Sequence, residues 1–215
     1  SITGQPNAMG GREVGGLATT LAAHMSFTDE ERERVGRFWS APRVATGPGL
    51  KAVDLFEAVE AGRIKALWVM ATNPAVSMPD AERVRRALER CEHLVVSEVI
   101  ADTDTARFAD VLLPAAAWGE KDGTVTNSER RISRQRPALA PPGEARPDWR
   151  IVADVGRAMG WGEAFGWESA AAVFREWAAM TAFENGGTRP LDLGGLMELS
   201  DEEYDVLAPA MWPVR

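Results

Sequence analysis

Three short runs, "IKALWVM" (64–70), "HLVVSE" (93–98) and "ADVLLP" (109–114), constrain the fold of this chain more than any other feature. Each is apolar over consecutive positions instead of alternating, so each needs cover on both faces. Stretches of helical spacing accompany them. Leu50, Val53, Phe56 and Val59 precede the first run, with Gly62 placed as a C-cap. Val84, Ala87 and Leu88 share one face of a helix over 80–91, between the first and second runs. A short helix over 105–108 precedes the third. Strands alternating with helices in β-α-β-α-β order predict an α/β fold: a Rossmann-like three-layer sandwich with a mainly parallel central sheet.

The rest of the chain is more mixed. A helix is expected over 13–25, a mixed charged and loop stretch over 26–48, and a turn at "TNPAVSMP". "GTVTNSERRISRQRPAL" is a turn followed by an extended basic segment, and Asp148 is placed to N-cap a helix over 149–159. A helix over 169–180, the loop "ENGGTRPLDLGG" and a short helix before the final proline form a C-terminal helical extension. The 215 residues are therefore divided into a Rossmann-like domain over 1–160 and a helical and loop extension over 161–215. The chain opens without methionine inside a glycine-rich stretch, which points to a piece of a longer protein.

Charge and composition exclude several functions. A net charge of -8 lacks the basic field that duplex phosphates require, so nucleic acid is not an expected partner. No apolar run approaches the roughly 20 residues of a membrane-spanning helix, so neither is a membrane. The single Cys91 allows no internal disulfide and no all-cysteine metal site, and His24 and His93 have no partners at metal-ligand spacing. No metal-ligating residue is therefore named.

Open α/β sheets bind ligands beyond the carboxyl ends of their strands. Asn73 follows the first strand, and Ser97 and Glu98 end the second, so all three should converge at one sheet edge. A carboxylate there can accept from ribose hydroxyls, and the alternative is a plain turn and a solvated strand end. The stretch "GQPNAMGGREVGG" poses a separate question. Its five glycines match neither G-x-G-x-x-G nor a Gly-Lys-Ser/Thr phosphate loop. They would let backbone N–H groups approach an anion ahead of a helix, or form only a tight turn.

Taken in order, "TGQPNAMGGREVGGLA", "LWVMATNPAVSMPD", "VVSE", "ADVLLPAAAWGEKDGTVTNSERRISRQR", "PGEARPDWRIVADVGRAMG" and "WPV" resemble the molybdopterin oxidoreductase family of dimethyl-sulfoxide reductase type. The glycine-rich stretch points within it to assimilatory nitrate reductase catalytic subunits, whereas the "ADVLLP" and "TNSERR" segments are shared with formate dehydrogenases. The resemblance implies a molybdenum bis(molybdopterin guanine dinucleotide) cofactor. It also implies an iron–sulfur cluster in an N-terminal part that this chain lacks, and reduction of nitrate to nitrite by the whole cytoplasmic enzyme. The chain would be the Rossmann-like domain that cradles one dinucleotide, inactive and metal-free by itself. Its partners would be the remaining domains, nitrate, and an electron-donor protein or subunit. Carried over by motif, Gln5, Asn7, Gly10, Gly11, Asn73, Ser97, Glu98, Lys121 and Asp148 would contact the cofactor, with either Glu98 or Asp148 accepting from guanine N1–H and its amine. Arg12 is the candidate to hold nitrate, since a guanidinium matches paired planar oxygens. Glu13 would orient Arg12 or begin the helix. The alternatives are a formate dehydrogenase-type domain and a non-catalytic nucleotide-binding module.

Overall fold

The computed structural model describes residues 5–215. Among these it is a mixed α/β structure, with a parallel three-stranded sheet, an antiparallel three-stranded sheet and helices. The chain divides into two compact units that interleave in sequence. One holds the residues up to Gly49 together with Asp122–Arg136 and Gly156–Arg215; the other holds Leu50–Lys121 and Pro137–Val155. The chain changes unit at 49/50, 121/122, 136/137 and 155/156.

The first segment departs from the expected helix over 13–25. Helix α1 is Ala8–Glu13, so it contains the paired glycines and ends where the helix was expected to begin. Gly15, at φ +82°, stops it in the left-handed region, and a Cβ there would lie 2.8 Å from the Ala22 nitrogen. Only one 3₁₀ turn, Ala22–His24, follows before helix α2, Asp29–Phe38. The charge run of α2 carries its own start signal. The Thr28 hydroxyl accepts from the Glu31 amide at 3.3 Å, and Asp29, Glu30 and Glu31 fill the first turn.

The parallel-sheet unit follows the predicted order. Helix α3 is Ala52–Glu60, strand β1 Ala66–Met70, and the expected turn closes into a single helical turn, α4, Pro74–Ser77. Helix α5 (Ala81–Arg90), strand β2 (His93–Glu98) and strand β3 (Val111–Pro114) complete it. The sheet order is β1-β2-β3, with Ala66 opposite His93 and Val95 opposite Val111. Val84, Ala87 and Leu88 of α5 pack with Phe56, Val59, Leu94 and Val96 in one apolar core. Outside it, Arg83 bonds Glu57 at 2.7 Å and Glu60 at 2.9 Å, and Arg86 bonds Glu60 at 3.1 Å, tying α5 to α3.

The basic segment "GTVTNSERRISRQ" is a hairpin. Strands β4 (Gly123–Thr126) and β5 (Arg131–Gln135) pair antiparallel, and the Asn127 Oδ1 accepts from the amides of Glu129 and Arg131 to close the turn. Helices α6 (Asp148–Ala158), α7 (Ala170–Ala182) and α8 (Asp201–Asp205) follow, and the C-terminal stretch is not only helical. Strand β6, Ala210–Met211, adds to β5 as a third antiparallel strand. Among the described residues no helix is long and apolar enough to cross a membrane.

Candidate functional site

All three parallel strands point the same way, so their carboxyl ends share one edge. The Ala71 amide donates to the Ser97 carbonyl at 3.0 Å, and the Ala115 amide to the Glu98 carbonyl at 3.1 Å. Ala71 itself takes φ +52°, a left-handed turn that costs a non-glycine residue free energy and swings the chain from β1 into Thr72 and Asn73. A fourth segment joins this edge. The Arg146 amide donates to the Pro114 carbonyl at 3.1 Å, and the Ala116 amide to the Arg146 carbonyl at 2.9 Å. Two residues on, Asp148 lies inside the first turn of α6, not before it as an N-cap. Its Oδ2 accepts from the Lys121 Nζ at 2.5 Å, while its Oδ1 is buried with no hydrogen-bond partner among the described residues.

The other residues of this edge are partly committed to the fold. The Asn73 Oδ1 accepts from the Thr105 amide at 3.1 Å and its hydroxyl at 2.7 Å, and the Thr105 Oγ1 accepts in turn from the Ala75 amide at 3.1 Å. The Asn73 Nδ2 makes no bond within the described residues, so its donor capacity is left over. Ser97 is only 2% exposed, and its Oγ accepts from the Trp68 Nε1 at 2.8 Å. Glu98 is half-buried and turns one carboxylate oxygen onto the Val99 amide at 2.7 Å. Thr105 has no spacing or motif that marks it in the sequence.

The remaining predicted residues belong to the other unit and cluster on α1. Gln5 is exposed ahead of it. The Asn7 Oδ1 accepts from the Thr126 amide at 2.9 Å and occupies the space beside Gly10, where a Cβ would lie 2.1 Å from it. Gly11 faces open space, and its amide is taken by the Asn7 carbonyl at 2.9 Å. Gly10 and Gly11 thus lie within a helix, not in a loop ahead of one. Arg12 is half-buried. Glu13 neither begins the helix nor sits in its first turn: it is the last residue of α1, 1% exposed. Its two oxygens accept from the Trp212 Nε1 at 2.7 Å and the Thr126 Oγ1 at 2.9 Å. Both donors lie in motifs singled out in the sequence, "TNSERR" and "WPV", yet no spacing rule joins them to Glu13.

Chemically, the sheet edge offers an ammonium, a carboxylate with one unfilled acceptor and an amide with unfilled donors. That set suits an anionic ligand bearing a ring edge rich in N–H groups. No cluster of three or more His, Cys, Asp or Glu residues fit to hold a metal ion occurs among the described residues. A groove of about 550 Å³ beside α2, lined by Asp29, Arg32, Glu33 and Arg37, includes none of the predicted site residues.

A family model for molybdopterin oxidoreductase matches residues 4–158. The chain belongs to the molybdopterin oxidoreductase family. It is 58% identical to a nitrate reductase of Klebsiella oxytoca over all of this chain and 25% of that protein, and 51% identical to a nitrate reductase of Shewanella frigidimarina over all of this chain and 23% of that one. It thus spans about a quarter of the length of the curated relatives it matches. Among solved structures, the acetylene hydratase of Pelobacter acetylenicus shares the fold with a TM-score of 0.60 at 19% identity, covering 78% of this chain and 22% of that one. The molybdopterin oxidoreductase family implies a molybdenum–pterin cofactor, and the ammonium, carboxylate and amide of the sheet edge are compatible in chemistry with a polar, anionic group.

Proposed function

We propose that the parallel-sheet unit is a Rossmann-like half-site for one guanine dinucleotide of a molybdopterin cofactor, in an enzyme that reduces nitrate to nitrite. The observation that carries the reading is the buried, unpartnered Asp148 Oδ1 at the carboxyl edge of the sheet. A carboxylate can accept from guanine N1–H and the exocyclic amine; Glu98 and Asp148 each have one oxygen engaged, on Val99 and on Lys121, and what sets Asp148 apart is that its other oxygen is buried without a partner. Lys121 holds the other Asp148 oxygen and would serve as a point charge toward a pyrophosphate. The Asn73 Nδ2 and the exposed carboxyl edge complete the contacts, while Ser97 supports them from within the sheet through Trp68.

When bound, the molybdenum centre supplies the two-electron change that nitrate reduction requires. The part of the chain argued to meet substrate is Arg12, whose guanidinium would grip nitrate through two charge-assisted bonds. The remaining domains, an iron–sulfur cluster within them and an electron donor belong to the same proposal, supported by the greater length of the nitrate reductases that the chain resembles.

Two variants of the full-length enzyme test the two halves. Asp148→Asn should lower the guanine nucleotide released on denaturation and the molybdenum content by about tenfold, because one of the two carboxylate acceptors becomes an N–H donor, which cannot serve both Lys121 and the guanine edge. Full loading in Asp148→Asn would remove the guanine role. Arg12→Lys should keep full molybdenum content but lose about tenfold to a hundredfold in kcat/KM for nitrate, since the charge remains and the fork is gone. Loss of cofactor in Arg12→Lys would assign Arg12 to the dinucleotide, and turnover of formate instead of nitrate by the unaltered enzyme would favour the formate dehydrogenase-type reading.

A further inference from the structure

We infer that Glu13 is a positioning residue for Arg12, locking the rotation of α1 about its own axis through Thr126 and Trp212. The inference rests on the reading of Arg12 as the nitrate-binding residue. Helix α1 has six residues, two of them interior glycines, and no side-chain N-cap. A helix so short and so glycine-rich has little stability of its own and must be held from outside.

The holding is done by groups remote in sequence. Thr126 grips both ends of α1: its amide donates to the Asn7 Oδ1, and its hydroxyl to the Glu13 Oε2. Trp212 takes the other Glu13 oxygen and is itself fixed. It is 6% exposed, its amide donates to the Arg130 carbonyl at 3.1 Å, and the Arg130 guanidinium lies over its ring, 5.0 Å from the centroid. An apolar residue would fill this interior at lower desolvation cost, so the acid is there for its two directed acceptors. Successive helix residues are turned by about 100°, so holding Glu13 inward sets the side on which Arg12 emerges. The absence of a side chain at Gly10 belongs to the same device, since a Cβ there would drive the Asn7 Oδ1 off Thr126.

The test uses the full-length enzyme. Trp212→Phe and Thr126→Val each remove one donor with little change in shape. Each should speed hydrogen exchange of amides 8–14 by about tenfold. Each should also raise the KM for nitrate about three- to tenfold with kcat and molybdenum content unchanged. Thr126→Ser, which keeps the hydroxyl, should return both readouts to the wild-type values. A merely structural role would lower thermal stability without moving the KM. Unchanged exchange over 8–14 overturns the inference, as does faster exchange with an unchanged KM in an enzyme where Arg12→Lys raises it. If Arg12→Lys leaves nitrate kinetics unaltered, the reading of Arg12 falls and this inference with it; the Arg12 variant separates that outcome from a failure of the positioning alone.

Discussion

In the unit around the parallel sheet, the most deeply buried large side chains include Leu88, Leu94, Val59 and Val96, supplied by elements that follow one another along the chain. In the unit that carries α1, side chains buried to the same degree include Glu13, whose partners Thr126 and Trp212 are remote in sequence, and Asn185, whose partners lie within six residues of it. The first unit is stabilised chiefly by removing apolar area from water, which tolerates modest displacement. The second has apolar clusters of its own, around Ile132 and Met180, and adds directed bonds in its interior, where one missing partner leaves a buried polar group exposed to the full cost of desolvation. A unit of the second kind holds a particular side chain at a particular angle, and the arginine argued to meet substrate stands there.

The comparison breaks most visibly in the sheet core. Leu94, fully buried in β2, should cost about 2–5 kcal/mol when truncated in Leu94→Ala, by transfer and cavity terms together. Urea unfolding of the chain measures it, and a loss under about 1 kcal/mol would contradict an apolar origin of that unit's stability. Next comes Asn185, whose Nδ2 donates to the carbonyls of Thr181, Arg189 and Leu191 while its Oδ1 accepts from the Arg189 amide at 2.8 Å. Asn185→Ala should cost about 2–3 kcal/mol in the same assay despite removing little apolar area. Equal tolerance of alanine and asparagine at this position would show that the second unit is not polar-held.

Acid sharpens the comparison from the surface. Hydrogen bonds from Arg83 and Arg86 hold the Glu60 carboxyl below its ordinary range. A carboxyl depressed in the folded state contributes stability above its unfolded value, and that contribution disappears as the pH falls through the folded value. The urea midpoint should therefore decline on acidification below the usual glutamate range, and Glu60→Gln should flatten that decline slightly. The smallest effect is expected at Tyr204. Burial pushes its hydroxyl up to about 12, with the cation of Arg134, 4.1 Å from the ring centroid, opposing, and the Oη has no hydrogen-bond partner among the described residues. Tyr204→Phe should leave stability unchanged or raise it by up to about 1 kcal/mol, since it deletes an unsatisfied buried group. A clear loss in the thermal midpoint would mean that the hydroxyl is bonded.

What could be read from the sequence follows the same line. "HLVVSE" is β2 residue for residue, because its short length and adjacent β-branched valines favour a buried strand over a helix. Helix α2 had a legible start as well, since Thr28 and Glu31 form the T-x-x-E pattern of a capping box, although its charge run obscured it. Helix α1 was not legible, because two glycines and no apolar stripe describe a loop until Thr126 and Trp212 are present to hold it. Strand β6 is two residues that are a strand only because β5 lies beside them. At the sheet edge, Asn73 and Glu98 could be found from the rule about strand ends. The pairing of Lys121 with Asp148 could not, since it depends on the chain returning beside Pro114 after an excursion into the other unit.

The late arrival of β6 has a consequence for the nascent chain. Until residues 210 and 211 leave the ribosome, β5 stands as an open sheet edge of the kind that pairs with whatever strand it meets. At a synthesis rate of ~5–20 residues per second that interval lasts several seconds. Arg131, Arg134 and Arg136, two of which become ion-paired with Asp205 in the finished fold, meanwhile crowd this edge with positive charge. They act as gatekeepers against misassembly before they serve as structure, so neutralising them should cost yield in the cell before it costs stability in the tube.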